Sequence, residues 1–370
     1  VKIPLTKPEP DIEHFKNVIL RKEKPKRVNF IELHIDQEII KHVSESLLNR
    51  EWVEPSSSKD RKAQESCLRN VIEFHYRLGY DALRLPSALR FSSALSFTTK
   101  VREGEDTAAL TRNERRWVEE GKGIISSWED FENYPWPSPE KMDLWVFEFL
   151  SENLPEGMGF WASFCPGVFE IAMNELMGLE TLSYLLYDNA ELVEAVFNKS
   201  GDLILGAYKR VVGLDNLAGF FQGDDMGFKT STLVSSDVLK KYVLPWHKKF
   251  AEFAHEHGLV YILHSCGNVD SIMEDLIEDV KIDAKHSFED AIMPVTEFKK
   301  KYGDRIAVLG GVDLDKLCRL EEKELRGYVR NILDECMPGG GYALGSGNSV
   351  ANYTPVNNFL AMLDEGLRDW

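Results

Sequence analysis

An imidazole, a thiol and a glycine follow one another at the end of an apolar run in Ile262-Leu263-His264-Ser265-Cys266-Gly267-Asn268. Residues two apart on an extended segment point the same way, so His264 and Cys266 can present a nitrogen and a sulfur to one side. Two ligands do not make a zinc site. A third would come from Cys165, Glu289 or a neighbour, leaving one position for a substrate thiol or oxygen. The competing reading is a histidine that orients a ligand beside an unligated thiol. Asp224 and Asp225 are consecutive acids, so on an extended segment only one readily faces a pocket. That one would act as acid/base or counter-charge, while its neighbour bonds the amides of its own turn.

These groups need elements that bring them together. Apolar runs recur at residues 28–34, 81–85, 159–164, 216–221, 259–263, 282–286, 306–309 and 341–344, most of them followed by Gly, Asp or Pro and then an amphipathic helical stretch. Strands alternating with helices argue for a parallel sheet with right-handed crossovers, and eight units close a (β/α)8 TIM barrel. An open doubly wound sheet is the competitor, but no GxGxxG or Walker motif follows any run. In a barrel the strand ends converge on one rim. That rim would collect His34 and Asp36, Arg84, Cys165, residues 223–227, His264 and Cys266, His286 and Glu289, Gly310 through Asp313, and residues 346–349.

Between the runs, Ser236 or Asp237 is expected to cap a helix with Leu239, Tyr242, Val243, Trp246, Phe250 and Phe253 on one face and a kink at Pro245. Asn189 is expected to cap a second helix. An insertion between the second and third runs, about residues 91–156, carries Trp117, Trp128, Trp136 and Trp145 and reads as surface helices pinned by aromatics. Residues 1–27 read as a strap over the barrel, which makes residues 1–370 a single domain.

With 43% hydrophobic and 28% charged residues, the 370-residue chain can bury a sizeable core. A formal charge of -17 opposes sequence-independent attachment to nucleic acid or an anionic membrane. Five scattered cysteines fit a reducing cytoplasm, and no apolar run is long enough to span a bilayer. Cys67, Cys318 and Cys336 read as packing residues on helices.

Several segments together carry a family resemblance: Cys165-Pro166-Gly167-Val168-Phe169-Glu170, Phe221-Gln222-Gly223-Asp224-Asp225-Met226-Gly227, His264-Ser265-Cys266-Gly267-Asn268, Leu309-Gly310-Gly311-Val312-Asp313, and Gly339-Gly340-Gly341-Tyr342 through Thr354-Pro355. From about Arg27 onward the chain resembles the uroporphyrinogen decarboxylase-like superfamily, within it the branch of corrinoid-linked methyltransferases of methanol, methylamine and methoxy-compound metabolism. The resemblance implies a barrel whose zinc, held by His-x-Cys and a later Cys, activates a thiol, with a separate corrinoid protein supplying or receiving the methyl group. His264 and Cys266 match the first two ligands, but Asn348 or a serine stands where the later cysteine is expected. A neutral amide is a poor zinc ligand.

The expected function is therefore a methyltransferase acting between a small methylated substrate or thiol and a corrinoid protein. His264 and Cys266 would serve as ligands, completed by Glu289 or Cys165, with Asp224, Asp225, His264 and Glu289 as catalytic candidates. His34, Arg84, His286, Gly310, Asp313 and Asn348 would line the substrate site. A homodimer is a further expectation, since barrels of this type pair. The alternatives are a decarboxylase of a porphyrinogen-like polycarboxylate, with Arg84, Arg90 and Arg305 as its basic groups, and a tetrapyrrole or corrinoid binder without turnover. The Arg-rich N-terminal motif of the decarboxylases proper is not found around Arg27 to His34.

Overall fold

The computed structural model describes residues 2–54, 60–99, 101–105, 108, 110, 114–118 and 123–368. Seven of the eight apolar runs form one parallel sheet. Its strands are β1 (Ala82–Arg84), β4 (Gly159–Ala162), β5 (Leu217–Gly223), β6 (Val260–His264), β7 (Ala284–His286), β8 (Ala307–Leu309) and β9 (Tyr342–Ala343), hydrogen-bonded in that order. β2 (Val101–Glu105) and β3 (Glu114–Val118) form a separate antiparallel ribbon. The insertion expected to be helical thus holds this ribbon together with helices Trp128–Asn133 and Trp145–Asn153.

Alternation along the strands sorts side chains into two cores. Ala82, Trp161, Ala218, Val260, Ile262, Ala284, Ala307, Leu309 and Ala343 face inward with Ile31 and Leu33. Leu83, Phe160, Phe220, Tyr261, Leu263, Val308 and Tyr342 face the surrounding helices. Alanine predominates inside because the concave face of a curled sheet has little room, while the outer face must fill the gap to the helices. Helix Ile12–Ile19, capped by Asp11, adds Ile12, Phe15 and Ile19 to the inner core. Gly159 at the start of β4 lets it approach, since a Cβ there would lie 2.7 Å from Ile12 Cγ1. The helix therefore covers the N-terminal ends of the strands, and the C-terminal ends remain free to build a site.

The first run departs from expectation. Residues 28–34 form no ladder, only a parallel bridge from Phe30 to Leu344 beside β9. Toward β1, side chains take the place of backbone pairing. Asn29 Nδ2 donates to Asp81 at 2.8 Å, Arg27 pairs with the same carboxylate, and Arg84 Nη1 donates to Leu33 O at 2.7 Å. The segment occupies the eighth position of a TIM-barrel-like arrangement without a full strand's hydrogen bonds.

Helix capping also shifts by a residue. Ser235, not Ser236 or Asp237, accepts the Val238 amide, and the helix widens into a π turn over Leu239–Val243 immediately before Pro245. Proline removes a backbone donor, so the widened turn relieves the ladder where it would break. Asn189 caps helix Ala190–Val211 as its position suggests. Among the described residues, no helix is long and apolar enough to cross a membrane.

Candidate active site

The register of three strands assembles the centre. Gly223 pairs with His264, and His264 with His286, so both imidazoles project from the C-terminal strand ends. The next residues are stitched together: Asp224 N donates to His264 O at 2.9 Å, Cys266 N to Asp225 Oδ1 at 2.8 Å, and Ser265 N to His286 O at 2.7 Å. Gly267 makes this approach possible. Its φ is +75°, and a Cβ there would sit 2.2 Å from the carbonyl carbon of Gly227.

Asp225, His264 and Cys266 consequently converge, with one donor atom of each within 4.8 Å of the others. His264 Nε2 lies 3.3 Å from Asp225 Oδ1 and 3.4 Å from Cys266 Sγ. The ring's other nitrogen decides what Nε2 carries. His286 Nε2 is 3.2 Å from Ser346 O, an acceptor only, so it holds a proton and donates. Burial pushes the His286 pKa well down, so its Nδ1 is a lone pair and accepts from His264 Nδ1–H at 2.7 Å. With Nδ1–H committed to His286, the nitrogen His264 has left for a metal is Nε2, and it faces a carboxylate and a sulfur. That corner accommodates either a proton on Nε2 or a metal ion. Nitrogen, sulfur and carboxylate oxygen are the donors zinc takes, and three protein ligands leave a position toward the cavity, so the residues present fit that metal.

Behind His286, Glu32 is buried with Ser346 as its partner. Ser346 N donates to it at 3.0 Å, and Ser346 Oγ contacts both Glu32 Oε2 and Asn348 O, the latter at 2.6 Å. One hydroxyl proton cannot serve two acceptors. The contacts balance when Ser346 donates to Asn348 O and a protonated Glu32 donates to Ser346, consistent with burial raising the Glu32 pKa to about 8.

The cluster opens into a cavity of about 310 Å³ that is also lined by His34, Arg84, Arg90, Cys165, Glu170, Asn348 and Ser349. Burial would raise the Asp225 carboxyl, but His264 and the Cys266 amide outweigh it and hold the pKa at about 2. Burial, then the charges of Asp225 and Asp224, push Glu170 well above the usual carboxylate range. Burial also raises both the Cys266 and Cys165 thiols. Asn348 donates Nδ2–H to Cys266 Sγ at 3.2 Å, while its Oδ1 takes the Ser349 amide at 2.9 Å. It thus supports the sulfur and has its oxygen turned to its own turn. Arg84 donates to Phe221 O, Leu33 O and Ser163 Oγ, three neutral groups of the barrel wall. His34 Nε2 meets Asp36 Oδ1 at 2.8 Å.

Other sequence candidates lie elsewhere. Asp224 is sealed off, bonded to the amides of Phe169 and Glu170 and to His247. Glu289 borders a separate cavity with Lys285 and Ser287, so it does not join the His264–Cys266 pair. Cys165 shares the main cavity but is outside the three-donor cluster. His286 stands behind His264 rather than on the cavity wall. Gly310, with φ +79°, offers its carbonyl to Tyr342 OH, and Asp313 caps helix Leu314–Arg319. Arg305 is on the exterior with Glu274 and Glu278. Sequence reasoning assigned no role to Glu170 or Glu32. Glu170 could have been found as the acid opening the helix after Gly167, and Glu32 as a lone acid inside an apolar run.

Comparison with known proteins agrees with this architecture. A solved methyltransferase from Methanosarcina mazei superposes with a TM-score of 0.67 at 17% identity, covering 97% of this chain and 98% of that one. Methylated-thiol--coenzyme M methyltransferase of Methanosarcina mazei is 25% identical over 188 residues, 51% of this chain and 48% of the relative, so the match spans about half the relative's length. The sequence profile of uroporphyrinogen decarboxylase (URO-D) matches residues 61–366, which contain β1 and β4 to β9 and the whole three-donor cluster. A match of that extent makes this chain a member of the uroporphyrinogen decarboxylase family.

Proposed function

We propose that the protein is a methyltransferase that moves a methyl group between a small methylated substrate or thiol and a corrinoid carried by a partner protein. The observation carrying this reading is the convergence of Asp225, His264 and Cys266 at the floor of the cavity, with His264 Nε2 turned toward the other two. The likeness to a methylated-thiol methyltransferase supports the reaction class. Asp225, His264 and Cys266 would hold zinc, whose chemistry is Lewis-acid activation of a thiol or of the heteroatom that bears the methyl group.

The chain's own groups then have distinct tasks. His286 and Ser346 O keep the His264 proton on Nδ1. Asn348 steadies the Cys266 sulfur with an N–H donor. Glu170, whose neutral form is favoured by burial at the cavity wall, can deliver a proton to a heteroatom that loses its methyl group or retrieve one in the reverse direction. Residues 1–370 would act as a single barrel unit, with residues 1–27 as a strap.

The test is elemental analysis of the purified protein together with methyl transfer between methylcobalamin and a small thiol. Near-stoichiometric zinc and transfer are expected, and both should disappear in a His264→Ala, Cys266→Ala double variant. Undiminished transfer by that variant would sink the reading.

A further inference from the structure

Arg84 and Arg90 line the same cavity yet differ in what surrounds them. Arg84 spends Nε and both Nη nitrogens on protein oxygens. Arg90 is only 5% exposed, and its Nε and Nη2 share a single acceptor, Leu85 O, each at 3.4 Å. Among the described residues, Nη1 has no partner and no carboxylate lies within ion-pair distance of the guanidinium. The Cys165 thiol beside it is raised by burial and stays neutral, so it supplies no counter-charge. A buried cation left in this state is unfavourable unless an anion joins it. The outer edge of a guanidinium, with two parallel N–H directions, matches a carboxylate in bidentate fashion.

We propose that Arg90 receives an anionic end of the substrate, so that the transferred methyl group belongs to a small molecule that also carries a carboxylate. The inference rests on the methyl-transfer reading for the role of the other end, while the anion site itself stands on Arg90 alone. Cys266 and His264 line the cavity into which Arg90 projects, and its volume of about 310 Å³ suits a compact molecule. A carboxylate at Arg90 would neutralise the buried charge and fix the direction in which the methyl-bearing heteroatom points.

The experiment is calorimetric binding of methoxyacetate and (methylthio)acetate, each against its primary amide, to the unaltered protein with and without added zinc. The carboxylates should bind at least about tenfold more tightly than the amides, the scale of one charge-assisted contact. Arg90→Met should abolish that preference, and Arg90→Lys, which keeps the charge, should retain part of it. Equal binding of carboxylate and amide, no binding of either, or a preference that survives Arg90→Met would overturn the proposal. The comparison on the unaltered protein stands even if Arg90→Met fails to fold. Binding requires no turnover, so loss of zinc or of methyl transfer can be told apart from loss of the anion site.

Discussion

Asp224 lies on the helix side of the loop after β5, accepting the Phe169 and Glu170 amides at 3.1 and 2.8 Å and His247 Nε2 at 2.8 Å. Asp225, one residue later, takes the Cys266 amide and faces His264 across the cavity floor. The first carboxylate is surrounded by donors that fold around it: His247 is itself held by Tyr261 OH at 2.8 Å, and a Cβ on Gly167 would lie 2.2 Å from the Asp224 carboxyl carbon. The second accepts a single backbone amide and meets His264 Nε2 at 3.3 Å on the side that opens to the cavity. Identical side chains thus divide into a structural anchor, whose valences are filled by the protein, and a ligand-ready group, whose remaining valence is not.

Substitution should separate the two regions. Asp224→Ala strands His247 and two buried amides, and is expected to cost about 3–5 kcal/mol of stability in denaturant unfolding, the range for breaking a buried charged network. Asp225→Ala should change stability far less and lower zinc content instead. Comparable unfolding curves for the two variants would break the distinction.

Glu32 sharpens it by titration. The folded pKa, about 8, is raised above the ordinary 4.5, so between those values the folded state binds a proton that the unfolded state has lost. Stability is then greatest below about pH 4.5 for this group and falls, by a few kcal/mol, as pH rises toward about 8. Glu32→Gln should flatten that part of the pH–stability curve, measured by thermal unfolding at several pH values. An unchanged slope would mean that Glu32 is not the protonated partner of Ser346.

The smallest expected effect concerns His286. Replacing it by Phe keeps a ring behind His264 but removes the acceptor for Nδ1–H, which should weaken zinc binding by about 10–100-fold while the fold persists. Competition against a chelating dye would report the change, and wild-type affinity would argue against the tautomer relay.

The strand order was legible because an apolar run ending in polar residues is a local pattern, and seven of the eight runs form strands. Residues 28–34 have the same composition, yet side-chain bonds from Arg27, Asn29 and Arg84 replaced a ladder that local pattern would assign. His264 and Cys266 were legible together because they share a strand end. Glu289 was not separable from them by sequence, since the side of the rim it occupies depends on how the loop after β7 packs.

The chain by itself determined the alternation of strands and helices and the two-residue spacing that turns His264 and Cys266 to one side, because both follow from backbone geometry over a few residues. Tertiary structure decided that Asp225 rather than Asp224 joins them, that His286 takes the His264 Nδ1 proton, and that Arg90 has no counter-charge among the described residues. Each depends on separations of a few ångströms between segments far apart in sequence. Strand register and close glycine contacts set those separations, and no local pattern encodes them.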